Sequence, residues 1–266
     1  MSQPSPELSV VVLCYGAAQG VKLILEQLAD EIESSQVPTE VILVANYWPG
    51  TGDDTPEAVL GLADGNGIVA VSAPKRGGMG WDLRSGLRRA KGDYLVFLDG
   101  DGQVPPRSAF DAYRVLAGGA AVAKGRRLTR EDGPLRRVTS FAFNLLFRIL
   151  FRTGPLWDVN GQPKGMTRNA YEAFNLSTDD WFTDAEIILK ARALGLRVEE
   201  FPVPFMRRRA PRSFVGPATV VEFAVNMARW RLGRHAAVST ARPSRTHVAR
   251  RAPPARQRRK LSAPRD

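Results

Sequence analysis

Four short apolar runs alternate with helical patterns in the first part of the chain, and this alternation strongly limits the possible folds. The runs are rich in branched and aromatic residues and cover residues 8–14, 41–45, 68–71 and 94–98. Between the first two runs, apolar residues recur at helical spacing from Val21 to Ile32. Strands that alternate with helices form mainly parallel sheets with right-handed crossovers. The sequence therefore predicts an α/β domain, a mainly parallel sheet flanked by helices.

The fourth apolar run ends in two carboxylates one residue apart, Asp99 and Asp101, set among glycines. In open α/β sheets, ligands bind outside the carboxyl ends of the strands. Asn46 and the loop containing Lys75 and Arg76 follow two other runs, so we expect them at the same edge. Two Asp residues with small neighbours suit a hard divalent cation that also holds substrate phosphates. The simpler alternative is a solvated Asp-Gly turn.

The second half of the chain is less regular. Its pattern predicts strands at residues 120–124 and 198–203, a polar turn at 158–166, and helices at 141–152, 181–194 and 217–230. A loop over residues 125–137 contains five arginines, including Arg126, Arg130 and Arg136. Asp184 falls near the start of the second of these helices. The helix at 141–152 is amphipathic, which fits either a core-facing helix or one lying in a membrane interface.

The positive charge of the chain is concentrated at its C-terminal end. Residues 234–266 contain ten Lys or Arg and one Asp, and thus carry +9 of the formal net charge of +11. This Pro- and Ala-rich tail has too few apolar residues to fold alone, so we expect it to be disordered. It fits a solvated end without a partner or attraction to anionic lipids. Nucleic acid is the weakest alternative, because the tail has no aromatic residue to stack on bases.

Several other classes of site and segment do not fit the sequence. The single cysteine, Cys14, lies in the first apolar run, which indicates a buried thiol in a reducing compartment. The first seven residues do not resemble a secretory signal, and no apolar stretch approaches the about 18 residues of a membrane span. Neither a P-loop nor a Gly-x-Gly-x-x-Gly after the first strand is present. Carboxylates, glycines and arginines remain, which together suit binding a diphosphate through a metal.

Together these residues resemble the family 2 inverting glycosyltransferases of the GT-A fold. The branch most similar makes polyprenyl-phosphate sugars, as dolichol-phosphate mannose and glucose synthases do. The resemblance extends over five blocks, at residues 8–15, 41–55, 75–103, 158–164 and 181–213. It implies a glycosyltransferase domain at residues 1–213, a C-terminal helix at 214–233 and the basic tail at 234–266.

The resemblance also implies a role for individual residues. Asp99 and Asp101 match the motif that binds Mg²⁺ or Mn²⁺ and the diphosphate. The implied nucleotide-sugar ligands are Tyr15, Asn46, Arg76 and Asp99. The implied catalytic residues are Asp184 and Asp101. The implied ligands of the acceptor phosphate are Arg126, Arg130, Arg136 and Lys164.

Two positions depart from the family pattern. Asn46-Tyr47 stands where the family usually has two adjacent Asp, and Gly16-Ala17 stands where it usually has Asn-Glu. Both changes remove negative charge from the base pocket, although Asn46 still offers a hydrogen-bond donor and an acceptor. These departures motivate one alternative, a non-catalytic relative that serves as a scaffold.

The implied function is transfer of a hexose from a GDP- or UDP-hexose to a polyprenyl phosphate. The enzyme would be metal-dependent and cytoplasmic, peripheral on the anionic cytoplasmic face of a membrane, with no nucleic-acid partner. If the acceptor is a phosphate, it needs no general base, because it is already mostly dianionic at pH 7. The second enzymatic alternative is transfer to a soluble or cell-envelope saccharide, for which Asp184 would have to act as base.

Overall fold

A computed structural model of the protein describes residues 5–64, 67–128, 134–206 and 217–233, and within three of its helices a few side chains are also left undescribed. The strands are β1 Leu8–Leu13, β2 Thr39–Val44, β3 Val69–Val71, β4 Tyr94–Asp99, β5 Val122–Arg127, β6 Lys164–Thr167 and β7 Val198–Val203. The helices are α1 Ala18–Ser35, α2 Thr55–Ala63, α3 Met79–Leu87, α4 Ser108–Ala117, α5 Pro134–Phe151, α6 Arg168–Phe174, α7 Thr183–Ala193 and α8 Pro217–Arg231. The predicted tail, residues 234–266, lies outside the described residues.

The strands form one mixed sheet in the order β3-β2-β1-β4-β6-β5-β7. The first four are parallel, with Leu13 of β1 level with both Val44 of β2 and Asp99 of β4. β6 is antiparallel to both neighbours, and β5 pairs in parallel with β7. The predicted mainly parallel α/β sheet is thus confirmed, and its carboxyl edge collects the loops after β1, β2, β4, β5 and β7.

The alternating side chains of β1 divide the core between the two faces of the sheet. Val10 and Val12 join a cluster with residues of α1, α2 and α4, whereas Val11 and Leu13 join one with α3, α6 and α7. Cys14 is fully buried in the same cluster as Val10 and Val12. Burial raises the pKa of its thiol to about 12. The prediction of a buried thiol is consistent with this environment.

A third apolar cluster joins α5 and α8 to the start of α7. Phe223 of α8 contacts Phe143 of α5 edge-to-face, with ring centroids 4.9 Å apart, and also contacts Phe182. Phe147 of α5 is fully buried in the same cluster. α5 is thereby fixed against the sheet domain by one face. Among the described residues, no helix combines the length and the apolar character needed to cross a bilayer.

Several elements differ from the sequence prediction. α4, α6 and β6 were not predicted, and α5 begins at Pro134, which shortens the predicted basic loop. The spacing of Ala109, Ala112 and Leu116, all buried in α4, was a readable helical signal. β6 has four residues and includes a lysine and a glycine, so neither length nor alternation revealed it within the predicted turn. Its formation depends on pairing with β4 and β5.

Candidate functional site

Asp99 and Asp101 lie where β4 leaves the sheet, at the carboxyl edge. The backbone of Gly100 donates from N to the Leu13 oxygen at 2.8 Å, and a Cβ at Gly100 would come within 2.9 Å of that oxygen. This close approach requires glycine between the two carboxylates. Asp101 Oδ1 accepts a hydrogen bond from the Gln103 backbone at 3.0 Å, which orients the carboxylate. Both Asp residues are half-buried.

The two carboxylates suit a divalent cation only if a ligand supplies further oxygen atoms. Across the residues that the structure describes, no three His, Cys, Asp or Glu side chains group as a metal-binding set. Mg²⁺ and Mn²⁺ prefer oxygen ligands, and Mg²⁺ is typically held by one or two carboxylates together with substrate phosphates. The donor set of Asp99 and Asp101 therefore fits a cation that is shared with a diphosphate.

A buried polar cluster lies at the carboxyl ends of β1 and β2. Asn46 donates from Nδ2 to Asp82 Oδ1 and to Ser85 Oγ, both at 2.9 Å. Asp82 is also paired with Lys75, whose ammonium lies 4.2 Å from the ring centroid of Tyr15. Burial raises the pKa of Asp82, and Lys75 opposes that shift. The cluster therefore joins two predicted nucleotide ligands, Tyr15 and Asn46, through residues of α3 and its preceding loop.

Sequence reasoning did not single out Asp82 or Ser85. They are polar residues three positions apart on a helix that is otherwise largely buried, which was a signal that could have been read. Of the neighbouring pair in the basic loop, Lys75 is buried in the cluster while Arg76 is exposed. The structure thus places Arg76 at the outer surface of this part of the edge.

Asp184 lies in the first turn of α7 and is 4% exposed. Its Oδ1 atom is 2.6 Å from the ammonium of Lys164, which is fully buried, and it accepts a longer hydrogen bond from Gln162 at 3.5 Å. Burial raises the pKa of Asp184, while Lys164 and Lys124 counteract this. The predicted phosphate ligand Lys164 is therefore already engaged with the predicted catalytic residue Asp184.

Two further ion pairs lie beside Lys164 and Asp184. Arg127 binds Asp158 through two hydrogen bonds, from Nε at 2.7 Å and from Nη2 at 2.6 Å. Lys124 pairs with Glu200 at 2.5 Å, and burial lowers the pKa of this lysine while Glu200 opposes the shift. The three cations and three carboxylates balance, so this group of charges is neutral as a whole.

A cleft of about 200 Å³ opens between α5 and the end of β5. Its lining combines basic and apolar side chains: Arg126, Arg127, Ser140, Phe141, Asn144, Leu145, Arg148, Trp157 and Asp158. Arg126 is exposed at this cleft. Arg130 lies outside the described residues, and Arg136 lies in α5 with its side chain undescribed. Arg148, which sequence reasoning did not select, stacks on Trp157 with 4.0 Å between guanidinium carbon and ring centroid.

The pairing of β4 with β6 brings the two halves of the site together. Phe97 is level with Lys164 across the two strands, so Lys164 lies two residues from the level of Asp99. The Gly125 backbone N–H donates to the Pro163 carbonyl oxygen at 2.8 Å, which joins the end of β5 to the residue that precedes Lys164. The carboxylates after β4, the Lys164–Asp184 pair and the cleft therefore share one edge of the sheet.

Comparison with known proteins agrees with this architecture. The model of glycosyl transferase family 2 matches residues 9–183. Glycosyltransferase AglD of Haloferax volcanii is 32% identical over 205 residues, covering 74% of this chain and 32% of AglD. Dolichyl-phosphate beta-glucosyltransferase ALG5A of Trichomonas vaginalis is 26% identical over 216 residues, covering 74% and 64%. The chain thus spans less than two thirds of the length of these curated relatives.

The solved structures that resemble this chain show the same fold. Glucosyl-3-phosphoglycerate synthase from Mycobacterium tuberculosis, crystallised with Mn²⁺, UDP and glucosyl-3-phosphoglycerate, superimposes with a TM-score of 0.67 at 18% identity. The match covers 87% of this chain and 82% of the synthase. The expected GT-A fold and the similarity to polyprenyl-phosphate sugar transferases are both confirmed. The chain belongs to glycosyl transferase family 2.

Proposed function

We propose that this protein transfers a hexose from a nucleotide sugar to a phosphate carried on a polyprenyl chain, with inversion at the anomeric carbon. The single observation that carries this proposal is the cleft between α5 and β5. It presents Arg126 and Arg148, beside an Arg127 that is paired with Asp158, together with Phe141, Leu145 and Trp157. Guanidinium groups suit phosphate, and the apolar side chains suit a hydrocarbon chain. An acceptor with both parts matches this lining.

On the donor side, Asp99 and Asp101 would hold Mg²⁺ or Mn²⁺ together with the diphosphate of the nucleotide sugar. The bound cation would neutralise the charge that develops on the leaving diphosphate. Tyr15, Asn46 and Arg76 lie around the neighbouring strand ends and would contact the nucleoside. The solved neighbours were crystallised with Mn²⁺ or Mg²⁺ and UDP, which supports a donor of this kind.

On the acceptor side, a phosphate oxygen attacks the anomeric carbon from the face opposite the diphosphate. A new carbon–oxygen bond to the acceptor forms as the bond to the diphosphate breaks, and the nucleoside diphosphate leaves with the bonding electron pair. A phosphate monoester has its second pKa at about 6, so at pH 7 it attacks without losing a proton. Asp184, held by Lys164, would position the sugar and the acceptor in this reaction.

We further propose that α5 lies against an anionic membrane. Its exposed positions between Phe141 and Leu150 are all apolar, and Phe141 and Ile149 are 60% and 66% exposed. An apolar helix face flanked by basic residues lies in the headgroup region of bilayers. The basic residues 234–266 would add attraction to anionic lipids. This placement brings the cleft to the surface in which a polyprenyl phosphate resides.

A second candidate function is transfer to the hydroxyl of a saccharide. The observation that favours it is the burial of Asp184, which raises the pKa of this carboxylate towards the range of a general base. The close contact of Asp184 with the Lys164 ammonium lowers that pKa and so opposes the effect of burial. The contact favours the phosphate acceptor, because Asp184 is paired with the Lys164 ammonium and would only have to position the reactants.

An acceptor comparison tests the proposal. The full chain is incubated with radiolabelled UDP-glucose or GDP-mannose, Mn²⁺, and either farnesyl phosphate, farnesol or a soluble saccharide. We expect labelled product only with farnesyl phosphate. Transfer to the saccharide and not to farnesyl phosphate would support the second candidate. Absence of transfer together with absence of nucleotide-sugar binding would favour the non-catalytic scaffold.

A further inference from the structure

The cations in and beneath the cleft differ in whether they already have a carboxylate partner. Lys124, Arg127 and Lys164 are each paired with a carboxylate, Glu200, Asp158 and Asp184 respectively. Drawing any of them towards a new ligand would strand a largely buried carboxylate, which is strongly unfavourable. These three cations are therefore committed to holding the site together.

Arg126 and Arg148 differ from this group. Among the carboxylates that the structure describes, none forms a salt bridge with either guanidinium. Both side chains line the cleft. A phosphate that entered the cleft would therefore meet two guanidinium groups whose charge is not already neutralised by these carboxylates.

Contacts on two sides fix the position of Arg148. Its guanidinium stacks on Trp157, and its Nε donates to the Gly154 oxygen at 3.1 Å. These contacts use one face of the guanidinium plane and its Nε–H group, and they leave the two terminal nitrogens to donate to a ligand. A guanidinium held in this way loses little freedom on binding, which favours affinity.

The helix that carries Arg148 is also tied to the rest of the site. Asn144, one turn earlier in α5, accepts a hydrogen bond at Oδ1 from the Val159 backbone at 2.9 Å. Val159 directly follows Asp158, the partner of Arg127. The position of Arg148 along the cleft is thus coupled to the ion pair beside it.

We propose that Arg148, together with Arg126, binds the phosphate of the acceptor, and that Trp157 positions Arg148 while contacting the adjoining apolar chain. This inference rests on the proposed function and adds a phosphate ligand that the sequence motifs did not indicate. It assigns Lys164 to positioning Asp184 instead of binding phosphate. The guanidinium pair offers the planar donor sets that match phosphate oxygens. Phe141 and Leu145 continue the apolar lining for the chain.

Binding of three probes to the full chain tests this assignment by isothermal titration calorimetry. The probes are farnesyl phosphate, farnesol and inorganic phosphate. We expect Arg148→Gln to weaken binding of farnesyl phosphate by about tenfold to a hundredfold, as for loss of a charged hydrogen bond, and to leave the binding of farnesol unchanged. Arg148→Lys keeps the charge and should bind with intermediate affinity. Arg192→Gln, at an exposed position of α7, is the matched control and should behave as the wild type.

The outcomes separate this inference from the proposed function. If Arg148→Gln and Arg148→Lys both bind farnesyl phosphate as the wild type does, the inference is wrong while the proposed function stands. If the wild-type chain binds UDP with Mn²⁺ but no farnesyl phosphate, the proposed acceptor is wrong. Equal affinities for inorganic phosphate and farnesyl phosphate would show that Phe141, Leu145 and Trp157 do not bind the hydrocarbon chain, and would overturn that part of the inference. A purely structural role for Arg148 would lower the thermal stability and weaken UDP binding as well, which we do not expect.

Discussion

The side-chain amide of Asn46 donates to Asp82 across the gap between the end of β2 and helix α3, at 2.9 Å. The Ser85 hydroxyl donates to the Asp82 carbonyl at 2.7 Å, so its oxygen can only accept from Asn46. Both neighbours are acceptors, and they fix which way the amide faces. Asn46 Oδ1 is buried and has no hydrogen-bond partner within the described part of the protein. An unpartnered acceptor therefore remains in the polar cluster at the end of β2.

This orientation predicts a preference for uracil as the donor base. A single neutral acceptor matches the one ring N–H of uracil. Guanine presents adjacent N–H groups, which suit a carboxylate better. The corresponding ring nitrogen of cytosine is itself an acceptor and cannot donate to Asn46 Oδ1. A base would reach the buried Asn46 Oδ1 only after the side chains that cover it move aside, and it would then satisfy that atom. We expect UDP to bind about tenfold more tightly than GDP or CDP, as for one net hydrogen bond. Calorimetry with Mn²⁺ measures this, and equal affinity for UDP and GDP would contradict it.

The Lys75–Asp82 pair should contribute strongly to stability, because its side chains are only 4% and 6% exposed. Replacing Asp82 with Asn leaves a buried ammonium without its counter-charge, for which we expect a loss of about 3–5 kcal/mol in the free energy of unfolding. Urea denaturation measures the change. The matched control is Asp179→Asn, which breaks a pair with Arg84 in which the Asp side chain is 51% exposed. That loss should stay below about 1 kcal/mol.

Part of the fold and of the candidate site could be predicted from the sequence, and part could not. The first four strands follow from apolar runs that alternate with helices, so Asp99, Asp101 and Asn46 could be placed at one edge from their positions alone. The partners of Asn46 and Asp184 could not, because Asp82 and Lys164 depend on how α3 and β6 pack. Lys164 is polar in a four-residue strand, and nothing in its local sequence shows that it is buried. The family resemblance implied that Lys164 is a phosphate ligand, whereas the structure pairs it with the carboxylate of Asp184.

The carboxylates after β4 should be required for cation-dependent donor binding. We expect Asp99→Ala and Asp101→Ala each to lower kcat for hexose transfer by more than about a hundredfold, since each would remove an oxygen ligand of the proposed cation, which would stabilise the leaving diphosphate. Both variants should also lose the Mn²⁺-dependent part of UDP binding. Asp93→Ala, exposed just before β4, is the matched control and should keep both properties. Retained transfer in both variants would refute the proposed metal site.

Lys164→Met should make stability depend more strongly on pH through Asp184 than it does in the wild type. Burial already raises the pKa of this carboxyl, and Lys164 opposes the shift, so removing the ammonium raises the pKa further. A carboxyl whose folded pKa exceeds its unfolded value binds protons more tightly in the folded state. The variant should therefore lose stability relative to the wild type as the pH rises from the unfolded pKa of about 4 through the raised folded pKa. Urea denaturation at pH 4.5 and 7.5 tests this, and an equal loss at both would contradict it.

The apolar face of α5 should bind membranes together with the basic residues after α8. Phe141 and Ile149 are largely exposed, so their replacement by Ser should leave folding unchanged while removing apolar area that would enter the interface. We expect the double variant Phe141→Ser/Ile149→Ser to sediment less with liposomes containing anionic lipid. A chain ending at Gly233 should lose most of the salt-sensitive part of the binding, because ten basic residues are removed. If the wild-type chain does not sediment with these liposomes, the proposed direct contact with the membrane is wrong. Leu60→Ser, at an apolar position of α2 that is 52% exposed, is the matched control and should sediment as the wild type.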